Sequence, residues 1–84
     1  MQMIELDGNG CPANREALRG RRFVHFKGGR YQLLDFANDS ETQEPVVVYR
    51  ALYGAGELWV RPARMFFEMV DRDGYVGPRF RLET

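Results

Sequence analysis

The sequence predicts a mostly β fold, either a small barrel or a strongly bent antiparallel sheet of five or six short strands. Two observations favour it: side chains follow a period of two from residue 22 onward, and glycine-rich turns separate the predicted strands at short intervals. A turn that begins at Pro62 is the clearest helical signal. The 84 residues form one domain, residues 1–84. Residues 22–81 are its core β domain, and residues 1–20 a partly ordered extension.

The N-terminal extension is predicted to be mostly loop, followed by one candidate helix. Residues 1–14 have weak periodicity. Pro12 to Leu18 is a candidate short helix, because proline is tolerated in the first turn and Gly20 then ends it. The first strand begins at Arg22. The run Lys27-Gly28-Gly29-Arg30 predicts a tight hairpin turn, since paired glycines accept a positive φ.

Three further strands follow the first hairpin turn. They are predicted over residues 31–37, 45–52 and 58–61, with connections at residues 38–44 and 53–57. In the second strand the apolar residues change parity between Leu33 and Leu34, which predicts a bulge or burial on both faces. Proline is tolerated at the start of a strand, so Pro45 is compatible with the third one.

The C-terminal third is predicted to hold the helical turn and a last hairpin. Pro62 favours a helical turn that carries Met65 and Phe66 toward the core. The Asp71-Arg72-Asp73-Gly74 segment favours a hairpin turn. We expect this turn to pair residues 67–70 with a last strand near residues 79–82.

Charge and composition limit the classes of partner. The formal net charge is zero, with a basic segment at residues 15–30 and an acidic one at residues 31–48. Without a strong field for a polyanion, nucleic-acid binding is expected to be weak and lost in salt. The sequence has no membrane-length apolar run and no signal pattern, so no membrane partner is expected. The single Cys11 cannot form an internal disulfide, which favours the cytoplasm.

Several short motifs occur in a fixed order between residues 22 and 81. They are His25-Phe26-Lys27-Gly28, Tyr31, Ser40-Glu41-Thr42-x-Glu44, Val48-Tyr49-Arg50-Ala51-Leu52-Tyr53-Gly54, Leu58-Trp59-Val60-Arg61-Pro62-x-x-Met65-Phe66 and Pro78-Arg79-Phe80. Together they resemble the bacterial family catalogued as domain of unknown function 1653. The resemblance implies a small, mostly β domain of SH3-like barrel character and no established activity. Asp39 departs from it, because histidine is expected there, so any chemistry at that position would be absent here.

The acidic loop of residues 40–44 is the first candidate site. Ser40, Glu41, Thr42 and Glu44 place two carboxylates and two hydroxyls within five residues. Such a loop can hold a cation or an amine, or supply a general acid and base. The favoured alternative is that the hydroxyls bond the nearby backbone and shape the loop. We also expect Glu41 or Glu44 to form an ion pair with one of three arginines, Arg50, Arg61 or Arg79.

The strand around Trp59 is the second candidate site. Trp59 and Arg61 should share one strand face, opposite Leu58 and Val60. If they face solvent with Tyr49, they form an aromatic and basic platform suited to a base or a peptide. Arg50 is a further ligand-binding candidate. The sequence favours burial of Trp59 instead, because most tryptophans are highly buried.

The predicted function is a small binding or interaction module, with a protein or small ligand as the favoured partner. One alternative is a small hydrolase-like enzyme that uses His25, Lys27, Glu41 and Glu44 as an acid/base cluster. Against it, a strand histidine flanked by phenylalanine is more often a packed residue. No metal or cofactor is expected, since one His and one Cys match no zinc spacing. The chain is expected to be a monomer, or a homodimer joined through strand edges.

Overall fold

The computed structural model describes residues 4–83, which form seven strands in two antiparallel sheets. The strands are β1 (Arg22–His25), β2 (Arg30–Asn38), β3 (Pro45–Ala51), β4 (Leu58–Pro62), β5 (Met69–Arg72), β6 (Tyr75–Pro78) and β7 (Phe80–Leu82). The main sheet has the order β4-β3-β2-β1-β7, and β5 and β6 form a separate hairpin. Within the described residues β4 and β7 are the two edges of the main sheet, so no barrel closes. The bent-sheet alternative is confirmed.

The first hairpin and the bulge occur where the residue pattern predicts them. β1 ends at His25 and β2 begins at Arg30, and Gly28 between them has a φ of 108°. The pairing of β2 with β3 shifts register between Leu33 and Asp35. Leu33 and Phe36 therefore lie on the same inner face although they are three positions apart along the strand. The bulge keeps Tyr31 and Phe36, on either side of it, both packed against the core.

The C-terminal hairpin is confirmed, but its predicted partner is wrong. Met69 pairs with Pro78, so β5 pairs with β6 rather than with residues 79–82. Asp73 and Gly74 form a two-residue turn with φ values of 52° and 78°, and this tight turn leaves only residues 75–78 to pair with β5. Residues 80–82 instead form β7 and pair with β1, which has a free edge.

The helical elements are shorter than the sequence predicts. The candidate helix of residues 12–18 is reduced to a 3-10 turn, Glu16–Leu18. The helical turn after Pro62 is confirmed as α1 (Ala63–Phe66). No helix of residues 4–83 has the length and apolar character that a bilayer crossing requires. Residues 1–3, part of the predicted N-terminal loop, lie outside the described residues.

The core lies between the inner face of the main sheet and α1. Phe66 of α1 stacks on Phe80 of β7, with ring centroids 4.0 Å apart. Cys11 and Leu18 of the N-terminal extension are buried in the same cluster. Burial raises the pKa of the Cys11 thiol, so this group stays protonated and packs as an apolar residue. The core covers only part of the inner face and leaves an aromatic rim near the ends of β1 and β3.

Candidate functional site

An aromatic and basic surface lies at this rim. We define the aromatic face by six residues: His25, Tyr31, Tyr49, Tyr53, Trp59 and Arg61. Strand register places them together, since Tyr49 is opposite both Leu33 and Trp59 on the inner face. Tyr31 contacts Tyr49 and His25 edge to face, at centroid distances of 5.4 Å and 6.5 Å. Tyr31 and Tyr53 were not among the predicted site residues, although the period-two pattern could have placed Tyr31 on this face.

Trp59 is 49% exposed, so the expectation that it is buried is wrong. The predicted shared face of Trp59 and Arg61 is correct, because their partners Tyr49 and Val47 both point to the core. Trp59 is exposed because of the position of its strand in the sheet. β4 is an edge of the described sheet, so Trp59 has a neighbour strand on one side only. Its ring therefore extends the inner face beyond the core.

Arg61 is half-buried against aromatic rings rather than against a carboxylate. Its Nε donates a hydrogen bond to Tyr49 Oη at 3.4 Å, and its guanidinium carbon lies 5.8 Å from the centroid of the Phe80 ring. Within residues 4–83, no carboxylate oxygen lies within 4.0 Å of an Arg61 nitrogen. The guanidinium keeps most of its five donors for another partner.

The tyrosines stiffen the aromatic face. Tyr31 Oη and Tyr53 Oη lie 2.5 Å apart and share a hydrogen bond. Burial, followed by the bond to Tyr53, raises the pKa of Tyr31 to about 12. Tyr31 is therefore neutral at physiological pH. The loop after β3 is tied to the sheet through this bond, and Tyr53 borders a small cavity of about 190 Å³ with Trp59 and Glu57.

His25 is a neutral ring within this face. Burial lowers its pKa, and the cations Arg61, Arg79 and Lys27 lower it further. Its Nδ1 accepts a hydrogen bond from the Lys27 backbone N–H at 3.1 Å, and its ring lies 4.8 Å from that of Phe80. A neutral imidazole held in this way adds another ring to the surface.

This environment predicts a pH dependence of stability. Since the folded pKa of His25 lies below its unfolded value of 6.5, the unfolded chain binds the proton more tightly. Stability should therefore fall as the pH drops below about 6.5 and stop falling once the folded pKa is passed. Thermal unfolding of His25→Gln between about pH 7.5 and pH 5.5 should lack this component of the decrease. NMR titration of the single histidine gives the direct check, and a pKa at or above 6.5 would contradict the assignment.

The acidic loop is shaped by its own backbone. The Asp39 carboxylate accepts hydrogen bonds from the Glu41 and Thr42 N–H groups at 2.8 Å and 3.1 Å, and these bonds lower its pKa. Thr42 Oγ1 accepts one from the Glu44 N–H at 3.2 Å. Asp39 thus supports this loop through backbone bonds although it departs from the resemblance. Ser40 is exposed in the same loop.

The expected ion pair of this loop has a different partner. Glu44 pairs with Arg64 of α1 at 3.1 Å, because β3 and β4 are antiparallel and bring the start of β3 beside α1. Among the described residues, neither Glu41 nor Glu44 pairs with any of the three predicted arginines. Arg50 donates instead to the Gly56 carbonyl oxygen, and Arg79 pairs with Glu68.

The structure does not bring the proposed acid/base residues together. His25 and Lys27 lie next to the start of β2, whereas Glu41 and Glu44 follow its end. β2 has nine residues and so spans about 30 Å. The four side chains belong to opposite ends of the sheet. Residues 4–83 also contain no group of three or more His, Cys, Asp or Glu side chains placed to hold a metal ion.

Comparison with known proteins gives one family and one similar solved structure. The model of the family described as protein of unknown function (DUF1653) matches residues 21–82. A crystal structure of a protein from the same family, from Bordetella bronchiseptica, is similar with a TM-score of 0.68 and 34% identity, over 81% of this chain and 90% of that one. No curated protein matches the chain significantly.

Proposed function

The chain belongs to the DUF1653 family, which is described only as being of unknown function, and from its own surface we propose that it is a small binding module. Its aromatic face would hold a small molecule that combines a planar ring with a negative charge. The proposal depends on one observation. Arg61 is a half-buried cation with aromatic neighbours and no carboxylate partner among the described residues, and Trp59 is exposed on the same face.

The chemistry of both side chains supports a planar anion. A guanidinium offers a flat fork of donors that matches a carboxylate or phosphate, and it also stacks on rings. Tryptophan supplies a large rigid surface at low entropic cost. Trp59 is 49% and Tyr53 is 54% exposed, so a ring has two aromatic surfaces to contact. A zero net charge gives little long-range attraction for nucleic acid, which favours a small ligand.

We also propose that the module is bacterial and cytoplasmic. The family relative from Bordetella bronchiseptica supports a bacterial origin, and the lone Cys11 supports the cytoplasm. We propose an SH3-like character for the bent sheet. An aromatic surface at the rim of a small sheet is the type of feature that SH3 domains use for extended ligands.

Ligand class is tested with three matched probes: adenosine monophosphate, adenosine and inorganic phosphate. Trp59 is the only tryptophan, so its fluorescence reports on this face directly. We expect the monophosphate to bind at least tenfold more tightly than either fragment, because it alone engages both the rings and Arg61. Arg61→Gln should weaken it about tenfold by removing a charge-assisted bond. Equal binding of adenosine and the monophosphate, or no saturable change with any probe, would contradict the proposal.

Trp59→Ala is expected to leave the fold intact and remove binding. An exposed edge residue contributes about 0.5–1 kcal/mol to the free energy of unfolding, so the melting temperature should fall by only a few degrees. Calorimetric titration with adenosine monophosphate should lose its signal. The matched control is Tyr49→Ala at the paired position, where the buried ring makes the loss of stability several-fold larger. If Trp59→Ala unfolded as readily as Tyr49→Ala, the ring would belong to the core.

A further inference from the structure

β4 is an apolar strand at an open edge of the sheet. Three consecutive side chains are exposed, Leu58 by 56%, Trp59 by 49% and Val60 by 66%. The strand pairs with β3 on one side and has no neighbour on the other within the described chain. An exposed, apolar edge strand is a template for pairing with another strand. Proteins normally protect such an edge from association, and the exposed apolar side chains of β4 therefore favour a partner strand.

The open edge of β4 has backbone N–H and C=O groups that can bond to another strand. The Ala51 N–H donates to the Glu57 carbonyl oxygen at 3.0 Å, which sets the alternation of the β3–β4 ladder. In an antiparallel ladder every second residue bonds to its neighbour strand. Trp59 and Arg61 therefore bond to β3, whereas Leu58 and Val60 direct their N–H and C=O groups away from it. Two donors and two acceptors lie on the open edge.

The side chains along this edge complement a reversed copy of themselves. Residues 57–61 read acid, apolar, aromatic, apolar and base. When such a segment pairs antiparallel with itself around its centre, Glu57 lies opposite Arg61 of the partner subunit. Leu58 lies opposite Val60 of the partner subunit, and the two Trp59 side chains meet at the two-fold axis. A symmetric dimer uses the same patch on both copies, which this segment satisfies.

We propose that a second copy of this chain pairs antiparallel with β4, with the two-fold axis at Trp59. The two main sheets then form one continuous ten-stranded sheet. Leu58 and Val60 form four backbone hydrogen bonds with Val60 and Leu58 of the partner subunit. An ion pair between Glu57 and Arg61 forms at each end of the paired segment. The dimer forms without the ligand proposed above, and Glu57 of the partner subunit competes with that ligand for Arg61. It places both aromatic faces on the same side of the joined sheet.

Charge and backbone chemistry favour the register centred on Trp59 over the register centred on Val60. A shift that sets Val60 opposite itself pairs Leu58 with Pro62 of the partner subunit. Proline has no N–H, so each Leu58 carbonyl would lose its donor. The shift also removes Glu57 from Arg61. An unrelated peptide strand would satisfy the backbone, but only a reversed copy satisfies both end charges together.

The dimer and its register are tested by reversing charges at residues 57 and 61 and measuring the mass of the species in solution. Sedimentation of the native chain should show a concentration-dependent species of twice the 9.8 kDa monomer mass. Glu57→Arg places like charges at both ends and should weaken association at least tenfold. The double variant Glu57→Arg with Arg61→Glu restores both pairs and should recover association to within about threefold. A native chain that stays monomeric at millimolar concentration, or a double variant no better than the single one, would overturn the proposal.

Cysteine cross-linking tests the register without relying on Arg61. Trp59→Cys should form a disulfide-linked dimer on mild oxidation, since directly opposed residues of a non-hydrogen-bonded pair lie about 4.5 Å apart between Cα atoms. Val60→Cys, on the same strand and more exposed than Trp59, should not cross-link to itself. Cys11 is fully buried and does not compete. Cross-linking of the Val60 variant instead, or of neither, would refute the pairing. Sedimentation and cross-linking are measured without any probe, so failure of the ligand and failure of the dimer are separable.

Discussion

Phe66→Ala is expected to lower the free energy of unfolding by about 3–5 kcal/mol. Phe66 is fully buried, and it stacks on Phe80 with ring planes 4° apart. It also contacts Phe23 and Tyr49 edge to face, each at a centroid distance of 5.3 Å. A domain of 84 residues has a total stability of about 4–12 kcal/mol. The substitution therefore removes about a quarter or more of this stability, because the cavity lies where α1 meets the sheet.

Chemical denaturation measures this loss, with Phe26→Ala as the control. Phe26 is half-buried and stacks on Tyr75 at a centroid distance of 5.5 Å, outside the main core. Its truncation should lower the stability by about 1–2 kcal/mol, since neighbours and water fill the space. If both variants lost the same amount, the packing of α1 would not be the central contact of the fold.

Glu68→Ala should lower the free energy of unfolding by about 2–3 kcal/mol. The Arg79 side chain is 10% exposed, and its Nη2 donates to Glu68 Oε1 at 2.5 Å. Its Nε is buried without a hydrogen-bond partner among the described residues. Removing the carboxylate leaves a buried guanidinium without its counter-charge. A buried charge that loses its partner is more costly than the pair itself is favourable.

The reverse substitution gives a matched control from the same pair. Arg79→Met keeps an apolar stem in the buried position and leaves Glu68, which is 40% exposed, to water. The expected loss is within about 1 kcal/mol. Urea unfolding of both variants should thus be strongly asymmetric. Equal losses would mean that direct attraction within the pair, rather than desolvation of Arg79, decides its contribution.

Local signals were sufficient for most of the sheet. The paired glycines after Lys27 predicted the first turn, and the parity change at Leu33 predicted the bulge, because both depend on a few adjacent residues. The partner of the last strand was wrong for the opposite reason. Residues 80–82 pair with β1, which lies far away along the chain. The residue pattern within a strand does not show which distant strand it pairs with.

The candidate site shows the same division. That Trp59 and Arg61 share a face follows from strand alternation and is correct. The exposure of Trp59 depends on β4 being an edge, which is a property of the whole sheet and not of residue type. The pairing of Glu44 with Arg64 likewise depends on where α1 packs. Sequence reasoning identified Tyr49, Trp59 and Arg61 of the aromatic face, but it missed Tyr31 and Tyr53 and the exposure of Trp59.

The pairing of β1 with β7 also has a consequence for biosynthesis. Phe23 lies opposite Leu82, so β1 is synthesised well before β7, the strand with which it pairs. Until Phe80 has been translated, Phe66 lacks the ring on which it stacks, and β1 keeps an open edge. Such a long-range contact delays folding and exposes the nascent chain to aggregation. A translation product that stops before residue 80 would therefore be a substrate for chaperones and proteases rather than a smaller folded domain.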